Sequence, residues 1–259
     1  MHHFFVNPEQ VEDGLIRITG PDVNHIKNVL RVRQGEKMLV SDGTGRDYLC
    51  QAEEIAGQEV AVRILETKEE GRELPSRIWL FQGLPKSDKM EFIIQKAVEL
   101  GAAGIVPVST RNTVVKLEPK KEEAKRKRWQ AIAESAAKQS KRSLVPQVCG
   151  VMTLKEAFDY VESRGFSMRL IPYEHEEGMA GTKAELDTLG PGQDIAVFIG
   201  PEGGFDEREI DLALSKGVRP ISLGRRILRT ETAGLAVLSV LMMRLEGALK
   251  RSLYNGSIF

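Results

Sequence analysis

Ile195-Ala196-Val197-Phe198-Ile199-Gly200-Pro201-Glu202-Gly203-Gly204-Phe205-Asp206-Glu207-Arg208-Glu209 decides the fold of this chain. The unbroken apolar run Ile195 to Ile199 reads as a strand covered on both faces, as in a parallel sheet between helices. Asp206 followed three residues later by Glu209 is a capping box that opens a helix. Between them, three glycines and a proline leave a backbone that can approach a ligand closely and present amide groups. The same residues also suit a plain strand-to-helix turn. The pattern is not Gly-x-Gly-x-x-Gly and no Walker lysine follows it, which disfavours dinucleotide or triphosphate binding.

Downstream, a strand at Pro220 to Leu223 runs into Leu223-Gly224-Arg225-Arg226-Ile227-Leu228-Arg229-Thr230-Glu231-Thr232-Ala233-Gly234. Three arginines among apolar residues at a strand end are unusual for a bland loop, because buried guanidinium groups need partners. The alternative is a salt-bridged surface loop with Thr230 as a helix cap. The final helix, roughly Glu231 to Lys250, is apolar on nearly every side, which suits a core helix, a dimer interface or both.

Upstream, strands at Ile78 to Gly83, Ile105 to Val108 and Met168 to Ile171 alternate with helices. Asp88 to Glu91 and Thr153 to Glu156 are further capping boxes, opening helices that run to Leu100 and Ser163. A basic helix covers about Pro119 to Arg142. Such alternation predicts an α/β domain with a mostly parallel sheet, whose ligand sites lie beyond the carboxyl ends of the strands.

Residues 1–72 differ. Leu15 to Ile18, Lys37 to Ser41, Asp47 to Cys50 and Val60 to Leu65 read as strands, with a hairpin turn at Asp42 to Gly45. One helix from Pro21 carries Val23, Ile26, Val29 and Leu30. This predicts a small β-rich domain, joined through the polar stretch Lys68 to Glu73 to a second domain at 73–259.

The chain has 259 residues, 41% hydrophobic and 29% charged, with 37 Lys plus Arg against 37 Asp plus Glu. Neutrality argues against wholesale attraction to nucleic acid but not against local patches. Lys116 to Arg142 holds ten Lys or Arg against four Glu. With His25, Lys27, Arg31, Arg33 and Lys37, it fits a phosphate-binding track better than chance surface charge. Few aromatics interleave these residues, so no stacking platform is evident. Cys50 and Cys149 lie far apart without a histidine partner, which argues against a disulfide framework or a metal site. No signal peptide is evident, and the longest apolar run, Ala233 to Met243, is too short for a bilayer. A cytoplasmic protein is expected.

Taken together, these residues resemble the RsmE family of ribosomal RNA uridine N3-methyltransferases, within the SPOUT superfamily. The resemblance runs through Asn24-His25-Ile26 with Val29-Leu30-Arg31, Gly83-Leu84-Pro85-Lys86 with Asp88-Lys89, and Gln95-Lys96 with Glu99-Leu100-Gly101. It continues at Trp129, Glu134 and Gln139, then Ile199 to Gly204, Leu223-Gly224 and Ile227 to Ala233. The family commonly has a second histidine where this chain has Asn24. The resemblance implies a PUA-like or OB-like N-terminal β-barrel for RNA and a C-terminal domain with a deep trefoil knot. It also implies a homodimer and S-adenosylmethionine as cofactor.

On that resemblance, the cofactor is expected against Ile199, Gly200, Pro201, Gly203, Gly204, Leu223, Gly224, Ile227, Leu228, Thr232 and Ala233. Arg229 is expected to stabilise charge on the uracil oxygens, with Glu202 and Glu231 as base or orienter. His25, Arg31, Arg33, Lys86, Lys138 and Arg142 are expected to touch ribosomal RNA, in a small-subunit assembly particle. No membrane or metal is implied. The alternatives are a SPOUT methyltransferase for a ribose 2′-hydroxyl or another base, and a non-catalytic RNA-binding factor of the same fold.

Overall fold

In the computed structural model, the described residues are 1–68, 72–115, 118–176 and 178–255, without the side chains of 119 and 248–255. Part of the expected linker and Lys116 therefore lie outside them. The chain divides into two compact units, Met1–Glu73 with Ala137–Val145, and Leu74–Ala136 with Pro146–Phe259.

The first unit is a six-stranded sheet of β1 (His3–Phe5), β2 (Val11–Glu12), β3 (Leu15–Thr19), β4 (Lys37–Ser41), β5 (Asp47–Ala56) and β6 (Glu59–Lys68). The order is β1-β4-β5-β6-β3-β2, antiparallel except for β1 beside β4. Alternate residues point inward. Phe4, Ile16, Ile18, Met38, Val40, Cys50, Val60 and Val62 share one core, so the sheet curls around it. Among the described residues no pairing joins β1 to β2, and the curl is open rather than a closed barrel.

The expected helix after β3 forms as α1 (Pro21–Asn24) and continues as one π-turn, His25–Val29. Val23 and Ile26 are buried, whereas Val29 is 62% exposed. The wider turn carries Val29 off the inward stripe.

The second unit contains β7 (Arg77–Gly83), α2 (Lys89–Glu99), β8 (Ala102–Ser109), α3 (Pro119–Ser140), β9 (Gln147–Val148) and β10 (Met152–Thr153). It continues with α4 (Leu154–Ser163), β11 (Met168–Pro172), α5 (Ala180–Asp187), β12 (Asp194–Ile199), α6 (Glu207–Ser215), β13 (Arg219–Ile221) and α7 (Thr230–Asn255). The sheet order is β10-β8-β7-β12-β11-β13, with β9 beside β8, and every pair is parallel. The expected α/β architecture is present. All carboxyl ends therefore lie on one edge. From edge strand β13 the chain returns to the centre, where α7 packs on α2 and across β7 and β12.

The capping boxes at Thr153 and Asp206 form. The one expected at Asp88 does not, since the Asp88 side chain makes no cap bond. The Glu91 carboxylate it would pair with is taken by Arg128, at 2.7 and 2.9 Å. Along α7, Val237, Leu238, Leu241 and Leu245 are buried, but Val240 and Met243 are 44% and 70% exposed. Among the described residues no helix is long and apolar enough to cross a membrane.

Candidate cofactor and RNA site

Four loops leave the carboxyl edge of the second unit's sheet: 84–88 after β7, 110–113 after β8, 200–206 after β12, and 222–229 after β13. The centre is the β7–β12 pair, where Gln82 is in register with Ile199. Strands that follow β7 in sequence lie on both of its sides, and ligands of parallel sheets bind beyond the carboxyl ends at such a reversal. A Cβ on Gly83 would lie 2.6 Å from the Pro201 nitrogen, so only glycine lets the two loops meet.

The 200–204 loop is braced from three directions. Thr230 Oγ1 donates to the Gly200 carbonyl at 2.6 Å, and Gln82 Nε2 donates to Thr230 Oγ1 at 2.8 Å. Asn112 Nδ2 donates to the Gly203 and Gly204 carbonyls at 2.9 and 3.3 Å. The Glu202 carboxylate accepts from the Lys86 backbone N–H at 3.1 Å and from Lys89 Nζ at 3.0 Å. Gly204 closes the turn onto the Pro201 carbonyl with φ +65.

Lys89 also lies 3.3 Å from Glu231 Oε2, so one ammonium bridges the β12 loop and the first turn of α7. The hydrogen bond that Lys89 donates to Glu202, with Glu231 beside it, raises the Lys89 pKa. Burial pushes the Glu202 carboxyl upward, but hydrogen bonds from Lys89 and the Lys86 N–H outweigh it and hold the pKa below its usual value. A carboxylate held in this way is a weak proton acceptor.

The expected cofactor residues divide by exposure. Ile199 and Pro201 are buried, so their side chains are committed to the fold. Leu223, Leu228 and Ala233 are half-buried, and Ile227 is 85% exposed. Gly224, with φ +101, and Thr232 are exposed. A Cβ at Gly204 or Gly224 would meet nothing within 4 Å, so the loops are open on these sides. A Cβ at Gly203 would instead meet Asn112 Cβ at 3.1 Å, and the space beside this glycine belongs to the neighbouring loop.

Arg225, Arg226 and Arg229 are exposed, and none pairs with a carboxylate among the described residues. This does not match a salt-bridged surface loop. Backbone polar groups, glycines facing open space and an uncommitted apolar side chain together fit an uncharged heterocycle such as adenine.

The expected RNA residues also divide. His25, Arg31, Arg33 and Lys86 are exposed without a carboxylate partner among the described residues, and Arg31 holds φ +53. Strain of that kind in a non-glycine residue often marks a working position. Arg142 is corrected. It is 4% exposed and its guanidinium grips Glu73 inside the first unit, so it is a structural ion pair. Lys138 is half-buried and pairs with Asp22 at 3.1 Å, which occupies its charge. Arg126 and Lys127 pair with Glu123, so part of the basic helix is neutralised in place.

Sequence reasoning assigned no role to Gln82, Lys89 or Asn112. Lys89 lay within the Asp88-Lys89 motif quoted above; for Asn112 no local signal existed.

Residues 72–242 match the model of an RNA methyltransferase domain, and residues 18–65 match an RNA methyltransferase PUA domain. Ribosomal RNA small subunit methyltransferase E of Bacillus subtilis (strain 168) is 35% identical, over 95% of this chain and 98% of that protein. The crystal structure of a ribosomal RNA small subunit methyltransferase E from Neisseria gonorrhoeae bound to S-adenosyl methionine is similar, with 33% identity and a TM-score of 0.81. It covers 94% of this chain and 97% of that one. A methyltransferase structure from Legionella pneumophila in complex with the bound cofactor SAM shares 32% identity and a TM-score of 0.79, over 93% and 96% of the two chains.

Proposed function

The chain belongs to the family of ribosomal RNA small subunit methyltransferase E, and on that premise we propose that it methylates N3 of a uridine in small-subunit ribosomal RNA. It is an S-adenosylmethionine-dependent methyltransferase acting on 16S ribosomal RNA. The uridine N3 acceptor, the residue roles and the pairing of subunits make up the proposal. One observation carries it. The 200–204 loop meets the start of α7, with Thr230 Oγ1 2.6 Å from the Gly200 carbonyl, beside guanidinium groups without carboxylate partners among the described residues.

When bound, S-adenosylmethionine supplies an electrophilic methyl carbon on a sulfonium. Its adenine is held by the backbone of Ile199, Gly200, Pro201, Gly203 and Gly204 and by Leu223, Gly224, Ile227 and Leu228, with Thr232 and Ala233 behind. Arg229 stabilises the negative charge that spreads onto the uracil carbonyl oxygens as N3 gives its proton to solvent water. Glu202 and Glu231 orient the site through Lys89. The imide is unreachable inside a stem, so the uridine is unpaired or flipped out. His25, Arg31, Arg33 and Lys86 contact phosphates.

Two copies pair through α2 and α7, where Phe92, Val240 and Met243 leave apolar surface exposed. The return of the chain from β13 to α7 supports a trefoil knot at this crossing. The enzyme acts in the cytoplasm, on an assembling small subunit.

Calorimetric titration with S-adenosylmethionine, followed by transfer of labelled methyl to unmodified 16S RNA, tests the reading. Stoichiometric binding and transfer are expected. A folded chain that binds no S-adenosylmethionine overturns it.

A further inference from the structure

Gln82 is fully buried, in register with Ile199 at the centre of the parallel sheet. Its Nε2 donates to Thr230 Oγ1 at 2.8 Å and to the Gly83 carbonyl at 3.0 Å. Its Oε1 is buried with no hydrogen-bond partner among the described residues. That oxygen faces Gly234 on α7, where a Cβ would lie 3.5 Å from it and 3.7 Å from both Ile199 Cγ1 and Leu80 Cδ1. An amide oxygen left unpaired among apolar atoms lowers stability, and methionine or leucine would fill this place without that penalty. The fold alone gives no reason for a glutamine here.

The other end of the amide supplies a reason. The Thr230 hydroxyl has a single proton and gives it to the Gly200 carbonyl at 2.6 Å, so toward Gln82 it can only accept, and a donor there fixes the direction of the hydroxyl. Gln82 Nε2 is the donor it receives from. The same NH₂ group holds the Gly83 carbonyl, in the strand end that abuts Pro201. One side chain thus sets the end of β7, the first residue of α7 and the first residue of the 200–204 loop.

We propose that Gln82 is a positioning residue for cofactor binding, which fixes the Gly200 carbonyl through the Thr230 hydroxyl and sets the 200–204 loop against the start of α7. The proposal rests on the reading above that these two segments hold S-adenosylmethionine. It makes Gln82 a residue selected for site geometry at the expense of fold stability.

The test uses the full chain and four variants: Gln82→Met, Thr230→Val, their double variant, and Thr230→Ser. S-adenosylmethionine affinity is measured by calorimetry, together with the thermal midpoint. Gln82→Met is expected to weaken binding about tenfold, the scale of one positioned hydrogen bond, with the midpoint unchanged or raised. Methyl transfer at saturating cofactor stays near the wild-type rate, so the loss falls on KM rather than kcat. The double variant should bind no more weakly than the weaker single one, because both break the same relay. Thr230→Ser, which keeps the hydroxyl, restores the affinity lost in Thr230→Val. Thr230→Val carries the test if Gln82→Met does not fold.

Wild-type affinity in Gln82→Met overturns the proposal. So does a loss of affinity that tracks a fall in the midpoint, or single-variant losses that multiply in the double variant. A wild-type chain that binds no S-adenosylmethionine overturns the cofactor reading itself, and the proposal with it.

Discussion

The Lys89 ammonium sits 3.0 Å from the Glu202 carboxylate and ties the start of α2 to the loop after β12. Its second contact, 3.3 Å from Glu231, leaves the two carboxylates within about 6 Å of each other, separated by one positive charge. Lys86 contributes only its backbone N–H to this cluster.

Replacing Lys89 by methionine removes that charge and leaves two neighbouring carboxylates. Like charges at this separation raise the pKa of one of them. Lys89→Met is therefore expected to lose cofactor affinity at neutral pH and to regain part of it as the pH falls toward 5.5. The sign in the wild type is opposite. The Glu202 pKa is lowered, so its stabilising contribution is complete above the ordinary glutamate range and is lost as pH falls through the lowered value. Calorimetric affinity between pH 5.5 and 7.5 checks this, and a flat profile in Lys89→Met contradicts it.

Asn112 holds the Gly203 and Gly204 carbonyls from the loop after β8. Asn112→Ala frees this side of the glycine loop and is expected to reduce S-adenosylmethionine affinity severalfold, with little change in the thermal midpoint. Gly203→Val drives its side chain into Asn112 rather than into open space and should show the same loss, with a folded circular dichroism spectrum. Unchanged affinity in both variants would remove the loop from the cofactor site.

Arg142 and Arg31 are both arginines of the first unit, but their surroundings separate them. Arg142→Ala leaves the Glu73 carboxylate with backbone N–H donors but without its counter-charge and is expected to destabilise the protein by about 3 kcal/mol, without altering the salt dependence of RNA binding. Arg31→Ala with Arg33→Ala is expected to leave stability alone, weaken RNA binding, and flatten its salt dependence by about one unit of slope per lost contact. Denaturant titration and salt-titrated RNA binding distinguish the two classes. Equal salt slopes in wild type and the Arg31/Arg33 variant would take the small sheet out of the RNA grip.

Local features of this fold were legible because their chemistry is local. The apolar run at Ile195 to Ile199 and the caps at Thr153 and Asp206 each fit within a few residues, and the structure has them in place. At Asp88 the backbone is not extended, with φ −91 and ψ 11, so the Glu91 N–H bonds the Asp88 carbonyl instead of its carboxylate, while Arg128, 37 residues onward, holds the Glu91 carboxylate. Helix α5, Ala180–Asp187, carries only one buried side chain, Thr182, and so lacks the apolar stripe that announces a helix. The Gln82–Thr230 bond joins residues 148 apart, and only the parallel sheet brings them together. Arg142 and the arginines of 225–229 have the same side chain and differ only in their neighbours, since of these, among the described residues, only Arg142 pairs with a carboxylate.

The proposed reaction is methyl transfer to uridine N3, with Arg229 beside the acceptor. Its most direct measurement is mass analysis of nucleosides from unmodified 16S RNA after single-turnover reaction with S-adenosylmethionine, for the wild type and for Arg229→Ala. The account predicts N3-methyluridine as the product, formed on the order of a hundredfold more slowly by Arg229→Ala under saturating RNA and cofactor. A ribose-methylated nucleoside, another methylated base, or a wild-type rate in Arg229→Ala would contradict it.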